Sequence, residues 1–125
     1  MASKRDSKAK HDWYLDKLVG NLKSIGEQKK DIQWVMKDGI WLMEDDSKQY
    51  SLCDLIVTYY DHTATPVELK GSRDKIQKAK KQLYQGREFI EDVLEYKSNP
   101  GKFVVYDKGD YIWEPVYFTK RRTSR

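Results

Sequence analysis

Residues 52–72 restrict the folds open to this chain more than any other stretch, because two runs of strand-forming residues there lead directly into a helix start. The first run, Leu52-Cys53-Asp54-Leu55-Ile56-Val57-Thr58-Tyr59-Tyr60, is rich in β-branched and aromatic residues but carries an acid, Asp54, inside it. Asp61-His62-Thr63 can turn the chain. Thr65-Pro66-Val67-Glu68-Leu69-Lys70 then reads as a second strand, with Pro66 near its beginning, where proline is tolerated. Gly71 breaks that strand and Ser72 can cap a long helix. The apolar stripe of this helix is Ile76, Ala79, Leu83, Ile90, Val93 and Leu94, and the helix is expected to end before Asn99-Pro100-Gly101.

Strand periodicity gives this hairpin its chemical interest. Alternate residues share a face, so Glu68 and Lys70 project together while Leu69 points away. A three-residue turn over 61–63 would pair Tyr60 with Ala64 and Asp54 with Lys70, leaving Asp54 diagonal to Glu68. A register shifted by one residue on each strand sets Asp54 directly opposite Glu68. Both registers bring two carboxylates and an ammonium to one end of the hairpin. Two carboxylates can hold Mg²⁺, which takes oxygen ligands and completes its shell with water and substrate phosphate. A lone cross-strand ion pair in the same place would contribute under about 1 kcal/mol.

The flanking segments read as follows. Residues 1–10 form a basic, flexible arm. Residues 12–24 form an amphipathic helix through Trp13, Leu15, Leu18, Val19 and Leu22. Residues 32–44 form a hairpin about Asp38-Gly39, and 45–51 a polar loop. Phe103-Val104-Val105-Tyr106 and residues 111–118 form a last pair of strands about Gly109-Asp110, with Pro115 marking an edge or bulge. His11 falls in the arm and His62 in a turn. Trp13, Trp34, Trp41 and Trp113 read as core or rim packing, and Cys53 as a small buried hydrophobe. The whole is one mixed α/β domain around a single sheet, residues 11–119, with a basic tail at 120–125.

Charge distribution narrows the partners. The net charge is +4, yet the cations concentrate at the ends: Lys4, Arg5, Lys8 and Lys10 at one, Lys120, Arg121, Arg122 and Arg125 at the other. The body between them is net acidic. Basic tails suit a polyanionic ligand such as DNA. The long helix carries Arg73, Lys75, Lys78, Lys80, Lys81 and Arg87 in its first half and Glu88, Glu91, Asp92 and Glu95 later. The helix macrodipole favours the opposite order. Phosphates passing the end of the Glu68 strand would account for the arrangement, with Ser72, Arg73, Lys75, Lys78 and Lys81 as their contacts. A single cysteine excludes an internal disulfide and suits a reducing, cytoplasmic setting, that of the host if the chain is virus-encoded. No apolar run is long enough to span a membrane.

Cys53-Asp54-Leu55-Ile56-Val57, thirteen further residues, then Glu68-Leu69-Lys70-Gly71-Ser72 resembles the core of the PD-(D/E)XK nuclease superfamily, and is similar to archaeal Holliday-junction resolvases and small viral nucleases. The resemblance covers roughly residues 12–106. It implies a restriction-endonuclease-like fold, a mixed central sheet flanked by helices. It also implies metal ligation by Asp54, Glu68 and the Leu69 carbonyl, with Mg²⁺ as the ion and Mn²⁺ able to substitute, and Lys70 beside the attacking water. Cys53 stands where the family has proline. Some members carry a helical Gln after the ExK, and Gln82 fits best, ahead of Gln77 and Gln85. Many have an acid on the first helix, for which Asp12 and Asp16 both remain candidates. The expectation is a metal-dependent deoxyribonuclease acting on branched DNA as a homodimer, with segments 34–41 and 111–118 as its contact surface. The alternatives are a viral-type exonuclease or single-strand nuclease, and a non-catalytic nucleic-acid-binding module of the same fold.

Overall fold

A computed structural model describes residues 4–37, 40–42, 49–51 and 53–119. In chain order these give α1 (Lys4–Val19), β1 (Ile32–Lys37), β2 (Ile40–Leu42), β3 (Gln49–Ser51), β4 (Leu55–Tyr59), β5 (Thr63–Lys70), α2 (Ile76–Phe89), β6 (Lys97–Ser98), β7 (Gly101–Asp107) and β8 (Asp110–Val116). Six strands build one mixed sheet in the order β1-β4-β5-β7-β8, with β6 also paired to β5. The β4–β5 and β7–β8 pairs are antiparallel, while β5 and β7 are parallel, joined by a crossover through α2. The domain is thus mixed α/β, as the sequence leads one to expect. No helix among the described residues is long and apolar enough to cross a membrane.

Strand alternation sorts the core into two layers. Leu55, Val57, Val67, Leu69 and Val104 face α1 and meet Leu15, Leu18, Leu22 and Ile25. Ile56, Ala64, Phe103 and Val105 face the other way and meet Ala79, Leu83, Phe89 and Ile90 of α2 and its closing turn. Each helix therefore covers one face of the sheet with its apolar stripe. Glu68 belongs by alternation to the α2 face, and it is only 1% exposed.

Gly86 lets α2 lie this close. A Cβ there would stand 2.7 Å from Cys53 Sγ and 3.0 Å from Pro66 Cβ. The helix consequently presses on the strand start that carries Asp54.

Several sequence expectations need correction. α1 begins at Lys4, because residues 4–10 contain straight-chain and Ala residues with no breaker and continue the helix instead of forming an arm. It stops at Val19, before Gly20-Asn21, and residues 22–25 form a separate tight turn closed by left-handed Gly26. The expected hairpin over 32–44 does not pair with itself among the described residues. Instead β1 lies against β4, and β2 pairs with β3 in a small second sheet. Long-range burial of Met36 against the main core overrides the local turn signal. The Asp38-Gly39 turn itself lies outside the described residues, as does the 120–125 tail. Gln49–Ser51, expected within a loop, is strand. The last hairpin does form, but its two-residue turn is Lys108-Gly109, both at positive φ, one residue before the expected Gly109-Asp110, and Asp110 pairs with Asp107.

Candidate active site

The β4–β5 register decides what the hairpin end presents. Thr58 pairs with Ala64, Val57 with Thr65, Ile56 with Pro66 and Leu55 with Val67. The turn residues are therefore Tyr60, Asp61 and His62, with His62 at φ 64° and its N–H donating to Tyr59 O at 3.2 Å. Asp61 Oδ1 accepts from both Thr63 N–H and Thr63 Oγ1, which tightens the turn and favours this register over one turning at 61–63. Of the two registers the sequence allows, the one placing Asp54 opposite Glu68 is adopted.

Regular pairing stops at Leu55, and the two acids take over its hydrogen bonds. Asp54 N–H donates to Glu68 Oε1 at 2.9 Å, and Leu69 N–H donates to Asp54 Oδ2 at 2.8 Å. The Glu68 carboxylate is thus oriented by the Asp54 backbone, and the Asp54 carboxylate by that of Leu69. Lys70 Nζ lies 3.2 Å from Glu68 Oε2. Asp54, Glu68 and Lys70, singled out together from spacing, do share one spot, and so does the Leu69 carbonyl.

A fourth side chain completes the group. His11 Nε2 sits 3.1 Å from Asp54 Oδ2 and 3.0 Å from Leu69 O, bridging the two oxygens. It stands on α1 in line with buried Leu15 and Leu18, four and seven residues further on. The sequence reading placed His11 in an arm because it began the helix at residue 12. Extending the apolar stripe one turn backwards would have found it. Asp12 is 3.6 Å from His11 Nδ1, and Asp16 is paired with Lys37 on the exposed side of α1. The residue α1 delivers to the two oxygens is therefore His11, not either acid.

Electrostatics at this spot are strained. Burial first, and the neighbouring Asp54 charge second, push the Glu68 carboxyl up to about 8, against the opposing pull of Lys70. The hydrogen bond to Asp54 raises the His11 imidazole to about 9, in spite of its partial burial. Both shifts favour the protonated forms, a tendency that a compensating cation would oppose. Burial raises the Cys53 thiol far above its ordinary range, and its Sγ lies 3.1 Å from Leu55 O, in keeping with a packing role.

The remaining candidates are placed as follows. Ser72 caps the turn Arg73–Lys75 that leads into α2, its Oγ accepting from Asp74 N–H at 3.4 Å. Arg73 is exposed and reaches Glu114 at 3.3 Å. Lys75, Lys78 and Lys81 are exposed along the start of α2. Gln82 lies one turn before Gly86 on the same helix, and its Oε1 is buried with no hydrogen-bond partner among the described residues. Leaving such an oxygen unpaired costs about 1–3 kcal/mol, so it marks a place where a further donor would fit.

The donor set is two carboxylates, one carbonyl and one imidazole, with an ammonium alongside. Oxygen donors of this kind suit a hard divalent ion. Among the described residues, no three His, Cys, Asp or Glu side chains are grouped so as to enclose an ion by themselves. An ion here would depend on the Leu69 carbonyl, water and substrate oxygens. The chain matches no family model and no curated protein.

Proposed function

We propose that the chain is a metal-dependent nuclease of the PD-(D/E)XK kind, hydrolysing DNA phosphodiester bonds, with branched DNA as its substrate and Mg²⁺ or Mn²⁺ as its ion. One observation carries the reading: Asp54 and Glu68 meet at the frayed end of β4 and β5, with the Leu69 carbonyl and Lys70 beside them. Two acids crowded into a nearly dry site, one held by the Lys70 ammonium and the other by the His11 imidazole, are hard to explain as a device for stability.

Asp54, Glu68 and Leu69 O would hold the ion. When bound, it would supply Lewis acidity and lower the pKa of a coordinated water. The protein's own groups do the rest. The Leu69 N–H fixes the Asp54 carboxylate, and the Asp54 N–H fixes Glu68, so neither acid must reorganise. Lys70 presents its ammonium where a water and a phosphoryl oxygen would meet, orienting the first and offsetting charge on the second. His11 Nε2 lies against Asp54 Oδ2 and Leu69 O, two of the oxygens that would hold the ion, so its ring would have to yield to an ion there. Lys75, Lys78 and Lys81 at the start of α2 offer charge to the phosphates on either side, and Gln82 has an oxygen free to accept from a bound water. We further propose a homodimer in which the β8 edge, bearing exposed Ile112 and Trp113 and followed by exposed Tyr117, meets its copy. A sedimentation profile showing only a monomer at micromolar concentration would remove that part.

The test is a cleavage panel of labelled linear, flap and four-way DNA, with Mg²⁺ and with EDTA. Metal-dependent cuts, fastest on the branched forms and lost in Glu68→Ala and Lys70→Ala, are expected. Equal cutting by the parent and these variants would refute the assignment.

A further inference from the structure

A line of aromatic rings leads away from Lys70. Gly71 follows Lys70, and a Cβ on it would stand 3.0 Å from Tyr106 Oη, so the Tyr106 ring adjoins the end of β5. Tyr14 stacks flat on Tyr106, with centroids 4.2 Å apart and planes 11° apart. Tyr111 Oη donates to Tyr14 O at 2.6 Å, tying α1 to the sheet at that point. Trp13 then meets Tyr14 edge-on at 4.9 Å and is 57% exposed.

Cations accompany the rings. Lys10 Nζ is 6.0 Å from the Tyr106 ring centre, and Lys17 Nζ is 5.0 Å from that of Trp13. Positions 10, 13, 14 and 17 recur at helical spacing, so they form one stripe along α1, beside His11. The nearby acids are otherwise engaged: Asp16 with Lys37 and Asp12 near His11.

An exposed indole with one ammonium over its ring and a second one turn away along the helix has the chemistry of a nucleobase platform. Bases inside a duplex have their faces covered by their neighbours, so such a platform favours an unpaired base, with lysines taking the adjoining phosphates. Trp13 therefore reads differently from the packing role its sequence context suggests. We propose that Trp13, Lys10 and Lys17 bind an unpaired nucleotide of a single-stranded segment, next to the strand whose phosphate enters the Asp54–Glu68 site. The placement of that phosphate rests on the nuclease reading, while the platform itself does not. Flaps and opened junctions supply such unpaired nucleotides, and blunt duplex does not.

The experiment is fluorescence anisotropy in EDTA, where no cleavage occurs, using a short labelled oligodeoxyadenylate and a blunt duplex of the same length. Trp13→Ala is expected to weaken single-strand binding about tenfold, within the range for losing one stacked base. Trp13→Phe recovers most of that loss, and duplex binding changes less than about twofold. Replacing Lys10 and Lys17 by Gln lowers the single-strand salt slope by about 0.7 per lysine. The proposal is overturned if Trp13→Ala binds the single strand like the parent, or if it loses both ligands equally. Neither result touches Glu68-dependent cleavage, so failure of the platform and failure of the nuclease reading are separable.

Discussion

Two buried carboxylates meet the sheet from opposite faces, Glu27 through Lys102 on the α1 side and Glu68 on the α2 side, and their surroundings differ in kind. Glu27 receives Lys102 Nζ at 2.6 Å and Tyr59 Oη at 2.5 Å. Lys102 is completed by the Ile25 carbonyl, and Thr65, next to Tyr59, accepts from Asn99. Every oxygen there faces a donor. Glu68 also has a donor at each oxygen, but it faces a second acid, and its ammonium partner stands further away at 3.2 Å. Burial alone therefore does not mark a candidate site. The mark is a pair of acids held against each other by burial, with an ammonium and an imidazole drawn to them.

The comparison breaks if the two acids behave alike on removal. Glu27→Ala should destabilise the fold by about 3–5 kcal/mol, because Lys102 is left buried without its partner. Denaturant melts would read this, and cleavage by the surviving folded fraction should persist. Lys70→Ala should do the opposite: little change in stability, but a cleavage rate lower by about 10²–10³-fold, as for loss of one positioned charge-stabilising donor. A Lys70 variant that unfolds but cleaves normally when folded would put Lys70 in the Lys102 class.

How much of this the sequence reveals depends on the range of the forces involved. Glu68 and Lys70 share a face because strand alternation is local, and Asp54 announces itself as a charge within an apolar run. Ser72, the α2 stripe and the last hairpin are legible for the same reason, although the hairpin turns one residue before the expected Gly109-Asp110. His11 was not, since it joins the site only once α1 is folded back across the sheet, a contact spanning 58 residues to Leu69. The pairing of β1 with β4 was hidden likewise, because a local Asp-Gly signal competes with distant burial. Gly86 looks like a helix defect until Cys53 and Pro66 are seen beneath it.

Gly86→Ala sharpens that last point. Helix propensity alone would make it stabilising by about 0.5–1 kcal/mol. The contacts at 2.7 and 3.0 Å predict instead a loss of about 1–3 kcal/mol by overpacking, read by thermal melting. A rise in melting temperature would mean that α2 has slack over the Asp54 strand.

The last difference concerns pH. In metal-free protein both shifted groups of the Glu68 end have folded-state pKa values above their ordinary ones, Glu68 at about 8 and His11 at about 9. The folded state binds the extra protons, so their stabilisation is full at low pH and is lost as pH rises. Glu68 contributes the loss between about 4.5 and 8, and His11 that between about 6.5 and 9. While one such group titrates, stability should fall by up to about 1.4 kcal/mol per pH unit. Glu68→Gln should flatten the lower window and leave the upper one. A parent whose stability climbs from pH 5 to 9 would contradict the picture of a charge-crowded site.

The claim that joins these results is that Asp54, Glu68 and the Leu69 carbonyl form a seat for a divalent ion. Calorimetric titration of Mn²⁺ into the metal-free protein at neutral pH tests it directly. Saturable binding with proton release in the parent, lost in Asp54→Asn while that variant stays folded, is the predicted result. Identical heats from the parent and Asp54→Asn, or no saturable binding to the parent, would contradict it.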